Sequence, residues 1–112
     1  MDYSQLSDFE INKRVAMATG QNIKFIFLDD DDNEIGVLVG RKGCREKKDF
    51  DPCNNPADAW PIIESNRISI RNRYEGDWKA ENEWGESRFH VACNALRAAM
   101  IVFLMMQDAN HA

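Results

Sequence analysis

The sequence lacks several features that define specialised classes of protein. It contains three cysteines, and an odd number cannot form a complete set of disulfides. Its first residues are polar and acidic, unlike a secretory signal peptide. The longest uninterrupted apolar run, residues 98–106, is too short to cross a bilayer. We therefore expect reduced thiols, a cytoplasmic location and no membrane association.

Sequence motifs for catalysis and cofactor binding are also missing. The chain has neither a phosphate-binding loop nor a dinucleotide fingerprint. The aspartate run 29–32 suggests calcium, but an EF-hand starting there needs glycine and glutamate where the chain has Glu34 and Gly40. His90 and Cys93 have the spacing of half a zinc site, without a second closely spaced ligand pair. We predict no catalytic residues, no metal site and no cofactor, which favours a non-enzymatic protein.

The composition is that of a globular domain, and its positive charge is concentrated locally. Hydrophobic residues make up 44% of the 112 residues, enough for one domain spanning 1–112. The net charge of −5 disfavours strong general attraction to nucleic acid or anionic membranes. Five of the 14 basic residues nevertheless lie in 40–48, GRKGCREKK. Its GRKG resembles the GXXG loop of KH domains, but it follows a strand instead of joining two helices, so we interpret it as a basic surface loop.

The hydrophobic pattern predicts three helices and four strands. Ser7 and Glu10 have the spacing of a capping box, and Gly20 is well placed just beyond the helix that follows. The last helix begins after Asn94 and is apolar on nearly every side, so it should be the buried centre of the domain. The predicted strands are residues 23–28, 34–39, 67–73 and 78–80, and residues 89–91 could form a further short extended piece. We predict an α+β fold in which a small, mainly antiparallel sheet packs on a buried C-terminal helix, in the order α-β-β-α-β-β-α.

The stretch from Phe50 to Ile70 contains all three prolines and should be the most shape-restricted part of the chain. We predict an ordered loop over residues 50–58, followed by a short helix with Asp58 as its N-cap. A start at Pro56 would instead put Pro61 in the helix interior, at a cost of roughly 3 kcal/mol.

Two surfaces are candidates for binding. The first carries amides and a carboxylate on a rigid loop beside aromatic rings, and could hold a partner protein or a small polar ligand; it comprises Asn54, Asn55, Asp58, Trp60 and Trp78. The polar residues of this set can equally cap a helix and fix a loop. The second surface is basic and could contact phosphates; it comprises Arg41, Lys42, Arg45, Lys47 and Lys48, with Arg71 and Arg73 as additional members.

Four stretches together resemble the phage NinX family. They are LSDFEINKRVA near the start, FDPCNNPADAWPIIESNRISI in the middle, Trp78-x-Ala80, and NALRAAMIVFLMM at the end. The resemblance implies a protein encoded in the early, nin-type region of lambdoid phages and made in the cytoplasm of the bacterial host. It supplies no catalytic residues. The genes that accompany this family in such phages include recombination and DNA-metabolism factors, which implies an accessory role by association.

These observations support three hypotheses. The first is a phage accessory protein that binds a host or phage protein without catalysing a reaction. The alternative is a nucleic-acid-binding accessory factor in phage DNA metabolism, acting through the basic surface. The third is an enzyme or binder acting on a small polar or nucleotide-like ligand at the loop between Asn54 and Trp60.

Overall fold

The computed structural model describes residues 2–73, 76–82, 89–92 and 94–110. A short 3-10 helix, Tyr3–Gln5, precedes the regular elements, which are α1 Asp8–Ala18, β1 Ile23–Leu28, β2 Glu34–Val39, β3 Lys48–Asp49, α2 Pro56–Ser65, β4 Ser69–Asn72, β5 Trp78–Glu81, β6 Phe89–Ala92 and α3 Ala95–Asn110. Among these described residues, no helix combines the length and the hydrophobicity that crossing a membrane would require.

The strands form two antiparallel sheets with the orders β1-β2-β3 and β4-β5-β6. The α+β class, the antiparallel pairing and the packing on the C-terminal helix are confirmed. The structure adds β3 to the four predicted strands, places strand β6 where a short extended piece was expected, and divides the strands between two sheets. Strand β3 consists of Lys48 and Asp49 alone, paired with Val39 and Leu38. A two-residue strand is too short to leave an alternating pattern in the sequence.

Helix α3 is the centre of the hydrophobic core, as predicted. Every residue from Ala98 to Leu104 is buried. Helices α1 and α2 pack on α3, and so do the strands of the second sheet, while α1 also packs on β2 of the first sheet. Helices α1 and α3 therefore lie between the two sheets, and the sheets bury one face each against them.

Both ends of α1 follow the sequence signals. The Ser7 hydroxyl oxygen accepts a hydrogen bond from the Glu10 backbone N–H at 3.2 Å, which satisfies one of the free donors at the helix start. At the other end, Gly20 has φ +75°. Its neighbour Gln21 donates to the Ala16 carbonyl at 2.9 Å, the bond of a Schellman ending. The predicted helix start at Ser7 and the glycine just beyond the helix end are thus confirmed.

Helix α2 begins three residues before the predicted start, so the assignment of Asp58 as N-cap is wrong. Asn55 is the N-cap, and its side-chain oxygen accepts from the Ala57 N–H at 3.0 Å. Pro56 occupies the first helical position, where its missing N–H costs nothing. Pro61 consequently lies inside the helix. The helix accepts that proline because its start is fixed by Asn55 and its other face is buried through Ala59, Ile62 and Ile63.

Strand β4 begins at Ser69, two residues later than predicted. Arg67 has φ +52°, a left-handed conformation that ends α2, and the Ile68 N–H bonds to the Ile63 carbonyl at 3.0 Å. The alternation that predicted the strand is real, since Ile68 is buried and Ile70 half-buried while Ser69 and Arg71 are exposed. Arg67 and Ile68, the first two residues of the alternating run, form the C-terminal ending of α2 instead of the start of the strand.

Candidate functional site

The central loop, residues 51–55, is tied to α1 by side-chain hydrogen bonds. The Asn12 amide nitrogen donates to the Asp51 carboxylate at 2.7 Å, and its amide oxygen accepts from the Cys53 N–H at 3.1 Å. The Asn54 amide nitrogen lies 3.1 Å from carboxylate oxygens of both Asp8 and Asp51. The loop is therefore fixed in place by residues of the first helix.

Helix α3 holds the same loop from the other side. The Asn94 amide nitrogen donates to the Cys53 carbonyl at 2.8 Å, while its oxygen caps α3 by accepting from the Leu96 N–H at 2.9 Å. Arg97 donates to Asp8 at 2.7 Å and to the Leu6 carbonyl at 2.6 Å. The Arg97 side chain thus joins the first turn of α3 to the start of α1.

We call this set the polar clasp; its members are Asp8, Asn12, Asp51, Asn54, Asn94 and Arg97. The clasp brings the N-terminal ends of α1 and α3 to the central loop, and α2 starts directly from the end of that loop. Carboxylates near helix N-termini are stabilised by the partial positive charge there, and Asp8 occupies such a position in α1. The clasp joins three helices, so its polar groups first serve the fold.

The structure places the residues of the predicted surface around Trp60 in different surroundings. Asn54 belongs to the clasp, and Asn55 caps α2. Asp58 is 8% exposed, and its carboxylate accepts from the Asp51 N–H at 3.0 Å and from the Asn55 side chain at 3.2 Å. Trp60 is different, because it lies on α2 with 58% of its surface exposed. Trp78 is half-buried on β5 of the second sheet, opposite Asn72.

The clasp also lines a polar cleft at the edge of β2. This cleft has a volume of about 280 Å³. Its polar lining consists of Asp49 and four clasp residues, Asp8, Asn12, Asp51 and Asn54, and Phe27 is among its apolar residues. A small polar ligand would therefore find, besides Asp49, carboxylates and amides that already bond one another.

The thiols differ in their surroundings. Cys53 is fully buried beside the clasp, and burial raises the pKa of its thiol to about 12, with the nearby Asp8 carboxylate acting in the same direction. A thiol that stays protonated at neutral pH is a poor nucleophile. Cys44 is exposed on the basic loop. Cys93 and the His90 side chain, which suggested half a zinc site, lie outside the described residues.

The structure places the predicted basic residues in two separate groups. Arg41, Arg45, Lys47 and Lys48 line a second cleft of about 580 Å³ in the loop that connects β2 to β3. Lys42 is exposed on the same loop but is not among the cleft-lining residues. The other group is on the second sheet, where Arg71 donates to Glu81 at 2.7 Å and Arg73 is exposed.

Five of the six members of the clasp were not identified as site residues from the sequence; they are Asp8, Asn12, Asp51, Asn94 and Arg97. Asn12 carried a usable signal, since it follows Ile11 on a helix whose next turns bury Val15 and Ala16. A buried amide requires hydrogen-bond partners, but its partners Asp51 and Cys53 lie about 40 positions away along the chain.

The described residues form a small α+β domain with two antiparallel sheets, in which the N-terminal ends of α1, α2 and α3 meet at one hydrogen-bonded loop. The family described as Bacteriophage P22, NinX matches residues 2–107 of this chain. The chain therefore belongs to that phage family. A comparison with curated proteins finds no match.

Proposed function

We propose that this NinX-family protein is a non-enzymatic phage accessory protein that binds a host or phage protein through the exposed face of α2, in the cytoplasm of the infected bacterium. The observation that carries the proposal is the 58% exposure of Trp60 on a helix whose start is fixed by hydrogen bonds. Tryptophan is among the residues that contribute most to protein–protein binding when a partner covers them.

The surroundings of Trp60 suit a protein partner. Ala57, Pro61 and Glu64, its neighbours on the helix surface, are all exposed. They provide a small apolar area with a charged residue at its rim, the arrangement found in interfaces. Because the clasp and the Asn55 cap already hold α2, binding would lose little conformational entropy.

A non-enzymatic role is supported by how the polar groups are used. Asn54, Asn55 and Asp58 each have hydrogen-bond partners within the fold. The Cys53 thiol, the nucleophile nearest to them in sequence, is buried and has its pKa raised to about 12. The polar residues first considered for a small-ligand site thus form hydrogen bonds within the fold, whereas most of the Trp60 side chain is exposed.

The test is an affinity pull-down from infected and uninfected bacterial lysates with nuclease added, comparing the wild type with Trp60→Ala. The matched control is Phe25→Ala, which removes an aromatic ring of similar exposure, 52%, from the first sheet. We expect a stoichiometric protein that is lost with Trp60→Ala and kept with Phe25→Ala. Retention of every captured protein by Trp60→Ala would contradict the proposal.

The melting temperatures of the wild type and of both variants show whether either substitution affects folding. Both substitutions are at exposed positions, so each should change the free energy of unfolding by about 0.5 kcal/mol or less. Asn55→Ala is unsuitable for this purpose, because removal of the N-cap of α2 would cost about 1 kcal/mol and confuse binding with folding.

A further inference from the structure

The loop between β2 and β3 carries an excess of positive charge. Five basic side chains and one acidic side chain lie within residues 41–48, in a chain with a net charge of −5. Lys48 lies 3.8 Å from the Asp58 carboxylate. Within the part of the chain that the structure describes, Arg41, Arg45 and Lys47 have no carboxylate at ion-pair distance. Like charges on one short loop repel one another, and an anion bound between them would reduce that repulsion.

The loop is held in shape before any ligand arrives. A Cβ atom at Gly40 would lie 2.4 Å from the Glu46 carbonyl oxygen, so only glycine allows the two ends of the loop to approach this closely. The Lys24 ammonium group donates to the Cys44 carbonyl at 2.6 Å. A turn closes between Arg41 and Cys44 with a hydrogen bond of 3.1 Å. The cations therefore lie on a closed loop that Lys24 attaches to β1.

This loop encloses a cleft of about 580 Å³, which falls in the size range of small-ligand sites. Four cations line it, Arg41, Arg45, Lys47 and Lys48, against a single acidic residue, Glu46. Guanidinium groups can hold a phosphate with two parallel hydrogen bonds, and lysines add charge without a fixed direction. Shape, size and charge thus favour the same class of ligand.

The geometry points to a site for the phosphate groups of nucleotides, either free nucleotides or the backbone of a single-stranded nucleic acid. The two share the chemistry that the cleft recognises. Exposed Phe25 pairs with Leu38, two residues before Gly40, so it lies roughly 7 Å along the strand from the loop. An aromatic ring at that distance offers a stacking surface for a base.

The charge of the rest of the first sheet limits the ligand to a short one. The β1–β2 turn, at the opposite end of the hairpin from Gly40, contains four consecutive aspartates. Phosphates extending along the sheet would meet these carboxylates and be repelled. Binding should therefore be local to the cleft, in keeping with the negative net charge of the chain.

The exposed thiol of Cys44 lines the cleft and can report on its occupancy. The wild type is labelled with a thiol reagent at low ionic strength, and modification of the peptide containing Cys44 is followed by mass spectrometry. The probes are pyrophosphate, ATP and a ten-residue thymidine oligonucleotide. We expect each to slow the labelling of Cys44, with half-protection at a concentration that rises with salt.

Two double variants identify the residues responsible. Arg41→Ala/Arg45→Ala removes cations from the cleft, whereas Lys42→Ala/Arg73→Ala removes the same charge from outside it. The rate of Cys44 labelling is measured with and without probe in each variant, because nearby cations also change the intrinsic reactivity of a thiol. We expect the first pair to raise the half-protecting concentration about tenfold and the second pair to leave it unchanged. Equal effects of the two pairs, or no protection by any probe, would overturn the proposal.

Further comparisons distinguish the two possible ligands, free nucleotides and single-stranded nucleic acid. If the ligand is single-stranded nucleic acid, the oligonucleotide should protect at a concentration well below that of ATP. Contacts to four phosphates would then give a slope of about −3 for log affinity against log salt. Phe25→Ala should weaken protection by the oligonucleotide and leave that by pyrophosphate unchanged. If ATP protects as well as the oligonucleotide does, the site is one for free nucleotides.

Discussion

The Asn12 amide nitrogen lies 2.7 Å from the Asp51 carboxylate, and this contact joins the middle of α1 to the start of the central loop. Asn12 is 6% exposed, and in the described part of the chain it and Asp58 are the two buried polar residues. Its oxygen also accepts from the N–H of the fully buried Cys53. One side chain therefore satisfies a donor and an acceptor that water does not reach easily.

Replacement of Asn12 by alanine should destabilise the protein. The change leaves the buried Cys53 N–H without its partner, at about 1–3 kcal/mol, and removes one of the two hydrogen bonds to an Asp51 oxygen that Asn54 still contacts, at about 1 kcal/mol. We expect a loss of about 2–3 kcal/mol in the free energy of unfolding, measured by urea denaturation. The control is Asn22→Ala, at an exposed position in the connection between α1 and β1, which should change stability by about 0.5 kcal/mol or less. Similar losses in the two variants would show that Asn12 contributes no more than an exposed amide.

The Asn12 contact also illustrates how far sequence reasoning extends in this chain. Local signals predicted the helix caps at Ser7 and Asn94, and the structure contains both. Periodicity predicted the burial of α3. Each of these features depends on residues only a few positions apart, and so it can be read from a short window.

Features that depend on distant residues could not be predicted. The bonds of Arg97 to Asp8 and of Asn12 to Asp51 join residues far apart in the sequence. The start of α2 was misjudged for a related reason. A proline inside a helix is unfavourable locally, and only the buried face of α2 and its cap explain why the helix includes it. The cleft of the basic loop likewise depends on the approach of Gly40 to Glu46.

Stability should fall at alkaline pH because of Tyr3. Its hydroxyl donates to the Asp108 carboxylate, and burial, together with this bond, raises the pKa of Tyr3 to about 12. Between the ordinary pKa of 10.0 and the raised value, the unfolded chain loses the proton while the folded chain keeps it. The stabilisation is therefore complete below pH 10 and is lost as the pH rises through 12.

Tyr3→Phe tests this linkage. The variant should be less stable than the wild type at pH 8 by about 1–2 kcal/mol, because it lacks a hydrogen bond to a charged group. The difference should shrink between pH 10 and 12, since only the wild type has a tyrosine at this position to ionise. Thermal melts of both proteins at a series of pH values measure this difference in stability. A constant difference across that range would contradict the assignment.

The acidic turn between β1 and β2 should depend on its first aspartate alone. The Asp29 carboxylate accepts from the Asn33 N–H at 2.9 Å and from the Asp31 N–H at 2.8 Å. The backbone bond from Asn33 is the main cause that lowers the pKa of Asp29. A lowered pKa in the folded state stabilises the protein above the unfolded pKa, and the effect disappears as the pH falls through the folded value.

Asp29→Ala should therefore lower the melting temperature at pH 7 and weaken its dependence on pH below 4. Asp30→Ala is the matched control, because Asp30 is an exposed neighbour with the same charge. We expect Asp30→Ala to leave the melting temperature unchanged or to raise it slightly, since it reduces the repulsion within the aspartate run. Equal effects of the two substitutions would show that the turn responds only to total charge.

Helix α2 should become more stable when its internal proline is removed. Pro61 cannot donate to the Ala57 carbonyl four residues earlier, and its ring crowds that carbonyl. Alanine would restore the bond at an exposed position, although proline also restricts the unfolded chain by about 0.4–1 kcal/mol. We expect Pro61→Ala to increase the free energy of unfolding by about 1–2 kcal/mol.

Pro56→Ala provides the control for Pro61→Ala in the same helix. Pro56 occupies the first helical position, where no helical hydrogen bond is missing, so alanine there should be neutral or slightly destabilising. Urea denaturation of the two variants should thus give changes of opposite sign, or of clearly different size. If Pro61→Ala destabilised the protein, the proline would be needed for packing or for the shape of α2 around Trp60. Because Trp60 precedes Pro61, a stabilised variant that still binds its partner would show that recognition needs the exposed ring and not the distortion caused by the proline.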